Sequence, residues 1–315
     1  MVVTKVSVVI PAYNVRHYIK DCLVSLQRQS FKDFEALIVD DGSNDGTAEV
    51  VQPFCQQDSR FKLLHKQNGG LSSARNYGIR HANTDYIALL DGDDIYKPDK
   101  LTSHVVLLDA HPDVGVVYSA SQAIRDDGRP TFLRLSGKPI HPDPLFALLC
   151  KNFVGHGSNA VFRRCIFDEV GEFDEGLKSY EDLDFWLRIA ALKRWRFYRD
   201  PRVLSLYRVR PSGLSFNVAQ MQRCSEQVME AAYKRSPKEV GPMLPTARAY
   251  VYRYLARLSL TAGDVTGARH FIDLALAENA SIFLRDPRSL LTFAAVYSAP
   301  ITKLIIQRTL GVKSS

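Results

Sequence analysis

The 315-residue sequence is sparing with the features that would fix a function at once. Its five cysteines, Cys22, Cys55, Cys150, Cys165 and Cys224, are odd in number, scattered and never spaced as CxxC. That excludes a disulfide framework and a cysteine-held zinc site, and leaves reduced, structural thiols. HExxH is absent and no Ser-His-Asp arrangement is evident. Residues 6–16 offer Pro11-Ala12-Tyr13-Asn14-Val15-Arg16 where a triphosphate cradle would need glycines. Long apolar runs are missing too. Leu290 to Ile306 contains Ser298, Pro300 and Lys303, which argues against a membrane-spanning helix. A tilted amphipathic helix on an anionic surface stays open for that segment. The first ten residues carry Lys5 in a β-branched run, with no secretory apolar core or cleavage site, so the expected compartment is the cytoplasm.

What is present is ordinary for a folded protein: 46% hydrophobic and 24% charged residues with no low-complexity tract, enough to bury a core. At this length two units are expected, a large α/β domain over 1–215 and a helical region over 216–315. The net charge of +7 is uneven, because residues 216–315 hold 13 Lys/Arg against 7 Asp/Glu, leaving 28 against 27 before them. A basic helical surface of this kind is either simply solvated or suited to an anionic membrane face or acidic partner. No nucleic-acid-binding motif accompanies the charge, so nucleic acid is not an expected partner.

Lys5-Val6-Ser7-Val8-Val9-Ile10, stopped by Pro11, reads as a buried parallel strand. Tyr18, Ile19, Cys22, Leu23 and Leu26 then recur at helical spacing. The alternation repeats: a strand over 34–39 ending in Asp40-Asp41, a helix after Gly46-Thr47, a strand over 61–65, a helix over 72–81 and a strand over 86–90. This rhythm predicts a mostly parallel sheet with helices on both faces, in which ligands bind beyond the carboxyl ends of the strands. The acidic turns Asp40-Asp41-Gly42-Ser43 and Asp91-Gly92-Asp93-Asp94 fall at such ends and are expected to line one crevice. Beyond them the pattern predicts a helix after Leu101, a strand over 114–119 and a hairpin around Asp126-Asp127-Gly128. A Gly/Ser/Asn-rich loop at 155–159, a helix over 181–191 and an arginine-rich strand over 195–207 follow. Residues 247–279 read as a two-helix hairpin turning at Gly263-Asp264, similar to one tetratricopeptide unit, which must pack its apolar face on something else.

Asp91 and Asp93 put two carboxylates one residue apart at a strand end. Oxygen-only ligands of this kind suit Mg2+ or Mn2+, held by one or two carboxylates while a diphosphate supplies further oxygens. Gly92 between them would let backbone and ligand approach closely. The bland alternative is that Asp93 or Asp94 caps the turn before Pro98. In Ser179-Tyr180-Glu181-Asp182-Leu183-Asp184 the acids fit either a favourable charge at a helix N-terminus or proton transfer.

Five stretches together resemble glycosyltransferase family 2: VSVVIPAYN at 6–14, VDDGSNDGT at 39–47, QNGGLSSARNYGI at 67–79, YIALLDGDDIYKPDKL at 86–101 and GEFDEGLKSYEDLDFWLR at 171–188. The resemblance implies a GT-A type α/β fold, a nucleotide-sugar donor and a divalent cofactor, Mn2+ or Mg2+. It sets Pro11, Ala12 and Tyr13 against the nucleobase, and Asp41, with Asp40 beside it, as acceptor for a base N–H, which suits uracil or thymine. Arg75 and Asn76 match positions near the nucleotide, although a salt-bridged, capped helix start explains them equally well. Asp91 matches the carboxylate near the ribose, Asp93 the metal ligand and Asp182 the catalytic base of inverting members. His156, Glu181 and Asp184 are the acceptor-side candidates.

Processive relatives carry Gln-x-x-Arg-Trp, whereas here Ala191 precedes Arg194-Trp195, so one sugar per encounter is expected. The expected function is a metal-dependent inverting transferase moving a single sugar from a UDP or dTDP donor to a hydroxyl of a cell-surface glycan or lipid-linked precursor. The expected place is the cytoplasm, or the inner membrane face through the basic carboxyl-terminal region. Two rivals are a non-catalytic scaffold with a degenerate transferase domain, and a sugar-phosphate nucleotidyltransferase, which residues 6–16 suit poorly.

Overall fold

The structure is a computed structural model that describes residues 4–135, 141–210 and 217–298. The chain divides into two compact units, Met1–Pro144 with Asn152–Arg210, and Leu145–Lys151 with Pro211–Ser315.

The first unit is built on a nine-stranded mixed sheet. β1 (Val6–Ala12) and β2 (Phe34–Asp40) are buried along their whole length, as strands covered on both faces must be, which explains their unbroken apolar runs. With β3 (Phe61–His65) and β4 (Tyr86–Leu89) they form a parallel set in the order β3-β2-β1-β4. The crossovers are α1 (Ile19–Gln27), α2 (Thr47–Gln57) and α3 (Leu71–His81). Helix α3 presses hard on the sheet at Gly78, where a Cβ would come within 2.5 Å of Val9 Cγ1. The two acidic turns follow β2 and β4, the parallel neighbours on either side of β1, and so leave the sheet at the carboxyl ends of these strands.

Beyond β4 the parallel rhythm breaks. β5 (Ile95–Tyr96), α4 (Lys100–Ala110), β6 (Val114–Ile124) and β7 (Pro130–Arg134) follow in the chain, then β8 (Ala160–Arg163) after a 3-10 turn at Gly157–Asn159. α6 (Arg164–Val170), α7 (Glu181–Ala191) and β9 (Arg196–Arg208) complete the unit. The sheet continues β4-β8-β6-β9-β5, with β8 antiparallel to both its neighbours and β7 paired to β6. β6 runs five residues past the 114–119 expected from sequence, because β9 pairs with it as far as Ile124.

The second unit is helical: α5 (Pro144–Cys150), α8 (Val218–Arg235), α9 (Pro237–Val240), α10 (Leu244–Thr261), α11 (Val265–Asn279), α12 (Ile282–Arg285) and α13 (Pro287–Tyr297). At the α10–α11 turn the Asp264 carboxylate accepts from Gly267 N–H and caps α11. Residues 299–315, which hold Pro300, Lys303 and the rest of the apolar segment beginning at Leu290, lie outside the described residues. Among the described residues no helix is long and apolar enough to cross a membrane.

Candidate active site

The turn after β4 is knitted from several sides. Asp91 N–H donates to Ser158 Oγ (2.9 Å), Gly92 N–H to the Pro11 carbonyl (3.3 Å) and Asp94 N–H to the Asp91 carbonyl (2.9 Å). Gly92 serves packing rather than ligand approach, since a Cβ there would lie 3.1 Å from Ile19 Cδ1 and Val15 Cγ2 and 3.2 Å from the Pro11 carbonyl oxygen.

Arg75, on α3, is 1% exposed and joins two acidic segments far apart in sequence. It donates to Asp91 Oδ1 at 2.8 Å and to Glu181 Oε1 at 2.7 Å. Burial disfavours a charged guanidinium, but the Asp91 and Glu181 carboxylates more than offset that and hold its pKa above the usual arginine value. Gly157 lies so close that a Cβ there would sit 2.2 Å from a guanidinium nitrogen.

Asp93 pairs with Arg210 Nε at 2.8 Å. Burial raises the Asp93 carboxyl pKa, Arg210 opposes that rise and Asp91 adds to it. Asp94 is fully enclosed: its Oδ1 accepts from Arg208 N–H at 2.8 Å, while Oδ2 has no hydrogen-bond partner among the described residues. Burial and the charges of Asp93 and Asp91 push its carboxyl well above the carboxylate range. His156 Nδ1 lies 3.7 Å from that orphaned oxygen, and the ring packs on Tyr207. Burial drives the imidazole pKa down to about 3, so His156 is neutral at physiological pH and makes no salt bridge with Asp94.

Asp182 stands in the first turn of α7, after Tyr180, a non-glycine residue held at φ +64°. Its Oδ1 accepts from Leu183 N–H (2.7 Å) and its Oδ2 from Asn152 Nδ2 (3.1 Å). Burial, then the neighbouring Glu181 carboxylate, raise its pKa to about 7 against the opposing pull of Arg75. A carboxylate poised near neutrality can both take and release a proton.

The remaining sequence candidates divide. Tyr13 projects into solvent at 51% exposure, whereas Pro11 and Ala12 are buried strand residues whose carbonyls accept from Gly92 and Asp41. Asp41 is turned inward, accepting from Lys66 Nζ (2.6 Å), Gly69 N–H (3.0 Å) and Gly70 N–H (2.8 Å). A bond to a nucleobase would need that 66–70 loop to give ground. Asp40 holds Ser43 N–H and His65. Two further candidates are engaged within the fold. Asn76 is wholly enclosed and tied to the Phe173 backbone and Glu175, so its side chain faces the 173–175 loop, as the capped-helix reading has it. Asp184 binds Arg188, whose guanidinium gathers the carbonyls of Val170, Gly171 and Glu172, and so stabilises the end of α6.

Sequence reasoning missed Lys66, Asn152, Ser158, Arg208 and Arg210. The last two follow the arginine-rich 195–207 strand, but nothing local aims the Arg210 charge at the Asp93 carboxylate or the Arg208 guanidinium at the Asp93 carbonyl. Among the described residues no three His, Cys, Asp or Glu side chains form a ready-made metal cage.

The family model described as Glycosyl transferase family 2 matches residues 7–171, just over half of the chain. The chain belongs to glycosyl transferase family 2. Among curated family relatives, it is 32% identical over 219 residues to the uncharacterized glycosyltransferase EpsJ of Bacillus subtilis, covering 67% of this chain and 62% of that protein. An uncharacterized glycosyltransferase of Rickettsia bellii is 28% identical over 289 residues, covering 90% of this chain and 40% of the relative. The chain thus spans less than two thirds of these relatives' own lengths.

Two solved structures show the same GT-A fold. The mannosyltransferase PcManGT of Pyrobaculum calidifontis, in complex with GDP-Man and Mn2+, is 21% identical with a TM-score of 0.61, over 97% of this chain and 86% of that one. S. aureus TarS in complex with UDP-GlcNAc is 20% identical with a TM-score of 0.57, over 88% and 91%.

Proposed function

We propose that this chain catalyses inverting transfer of a single sugar from a nucleotide diphosphate donor, UDP- or dTDP-linked, to an acceptor hydroxyl. The observation that carries the reading is the Arg75 bridge, which ties the Asp91 turn to Glu181 and so brings the donor-side acids beside Asp182. Support for the donor class comes from the family and from the nucleotide sugars bound by TarS and PcManGT.

Asp182 would take the acceptor proton as the hydroxyl oxygen bonds to the anomeric carbon, while the bond to the diphosphate breaks and its electron pair leaves with the phosphate. Arg210, paired with the Asp93 carboxylate, and Arg208, whose guanidinium donates to the Asp93 carbonyl, would lie near the departing diphosphate. Five carboxyl groups, Asp91, Asp93, Asp94, Glu181 and Asp182, share the site with three guanidiniums, Arg75, Arg208 and Arg210, and one buried carboxyl oxygen of Asp94 is orphaned. That donor set fits Mn2+ or Mg2+, which Asp93 would hold with help from Asp91. The ion would supply charge neutralisation on the departing diphosphate. The acceptor, a surface glycan or its lipid-linked precursor, would bring the chain to a membrane face, for which the basic excess of residues 216–315 is suited.

Titration with UDP and Mn2+, together with hydrolysis of UDP-GlcNAc and GDP-mannose, tests this. Asp93→Ala should lose metal-dependent binding, and Asp182→Asn should bind but not turn over. Turnover that survives both substitutions refutes the reading.

A further inference from the structure

The segment Asn152–Asn159 connects Asp182 to the Asp91 turn. At its far end the Asn159 side chain donates to the carbonyls of Ser119 (2.8 Å) and Val154 (2.6 Å), and the buried Lys100 Nζ donates to the Asn159 carbonyl (2.6 Å). One residue earlier Ser158 Oγ receives Asp91 N–H. At its near end Asn152 Oδ1 accepts from Gly155 N–H at 3.1 Å, across a turn that places Gly155 at φ +103°, a region glycine occupies without strain. With its carbonyl oxygen held there, the Asn152 amide has its nitrogen facing Asp182 Oδ2 at 3.1 Å. The amide orientation is therefore fixed by the loop backbone rather than by Asp182 itself.

We propose that Asn152 is a positioning residue for glycosyl transfer, its side-chain N–H holding one oxygen of the Asp182 carboxylate in a set orientation. The proposal rests on the reading of Asp182 as the base. Leu183 N–H holds the other oxygen, so both are oriented and each keeps a lone pair for the incoming proton. The charged groups facing Asp182 are Glu181, which favours the protonated form, and Arg75, which favours the ionised one. Asn152 adds a neutral donor on the side of the ionised form, and removing it leaves Glu181 less opposed.

The test reads Asp182 directly. Protein labelled with 13Cγ-aspartate is titrated by NMR, and the resonance missing from Asp182→Asn identifies the group. In Asn152→Ala its midpoint should rise by about half a unit to one unit. Asn152→Asp keeps the acceptor for Gly155 but sets a like charge beside Asp182, and should raise the midpoint further. Hydrolysis of UDP-GlcNAc or GDP-mannose with Mn2+ should show the acidic limb of kcat moving in parallel, with kcat lower by roughly tenfold and KM for the donor changed little. An unmoved midpoint in Asn152→Ala, with a lowered Tm, overturns the proposal and leaves the residue as loop structure. Should that variant fail to fold, an unmoved midpoint in Asn152→Asp overturns it equally. Failure of the base reading looks different: Asp182→Asn would keep its turnover even where the Asn152 variants shift the titration.

Discussion

Replacing Arg75 by methionine, which keeps the bulk and removes the charge, should be among the most damaging single changes in the first unit. The guanidinium is 1% exposed and is the ion-pair partner of Asp91 and Glu181, whose side chains are 23% and 10% exposed. Removing one partner of a buried pair leaves uncompensated charge and costs about 3–5 kcal/mol. Partial hydration of Asp91 screens its share, so the lower end, about 3 kcal/mol, is expected. The two tryptophans, Trp186 and Trp195, both belong to this unit, so urea unfolding followed by tryptophan fluorescence reports its stability without the helical unit. A cycle of Arg75→Met, Glu181→Gln and the double variant should give a coupling of about 1–3 kcal/mol, because neutralising Glu181 removes part of the penalty. A loss under about 1 kcal/mol, the range of exposed pairs, would refute the account of Arg75 as a buried bridge.

Three further outcomes follow from the same geometry. Asp182→Asn should stabilise the protein at pH 8 while abolishing transfer: the raised carboxyl pKa means the fold binds an extra proton between about 4 and 7, so wild-type stability falls as pH rises through that window. The full shift corresponds to about 4 kcal/mol, and residual contact with water reduces the expected gain to roughly 1–3 kcal/mol, read as a flatter Tm-against-pH curve in the variant. In wild type, kcat should rise with pH up to about 7 as Asp182 ionises, and a rate independent of pH from 5 to 8 would contradict its role. Gly157→Ala should cost about 1–3 kcal/mol in urea unfolding because its methyl would collide with a guanidinium fixed by two ion pairs, and the penalty should shrink in an Arg75→Ala background.

The sequence alone determined the alternation of strand and helix over the first ninety residues and the position of both acidic turns at strand ends. Local rules suffice there: β-branched runs favour extended backbone and side chains at helical spacing mark a buried face, although Pro11, expected to stop the first strand, lies within it and pairs with Val39. The family's motifs likewise named Asp91, Asp93 and Asp182 before any contact was visible. Only the tertiary structure decided what those acids touch. Arg75 reaches Glu181 across 106 positions, Asn152 reaches Asp182 across 30, and β8 inserts antiparallel between β4 and β6 although it follows them both in the chain. It also decided that Asn76 and Asp184 serve neighbouring loops, and that the segment Leu145–Lys151, which carries most of α5, joins the second unit. Such pairings depend on how distant segments pack, and burial then sets which carboxyl is raised and which cation stays charged, neither of which a local pattern encodes.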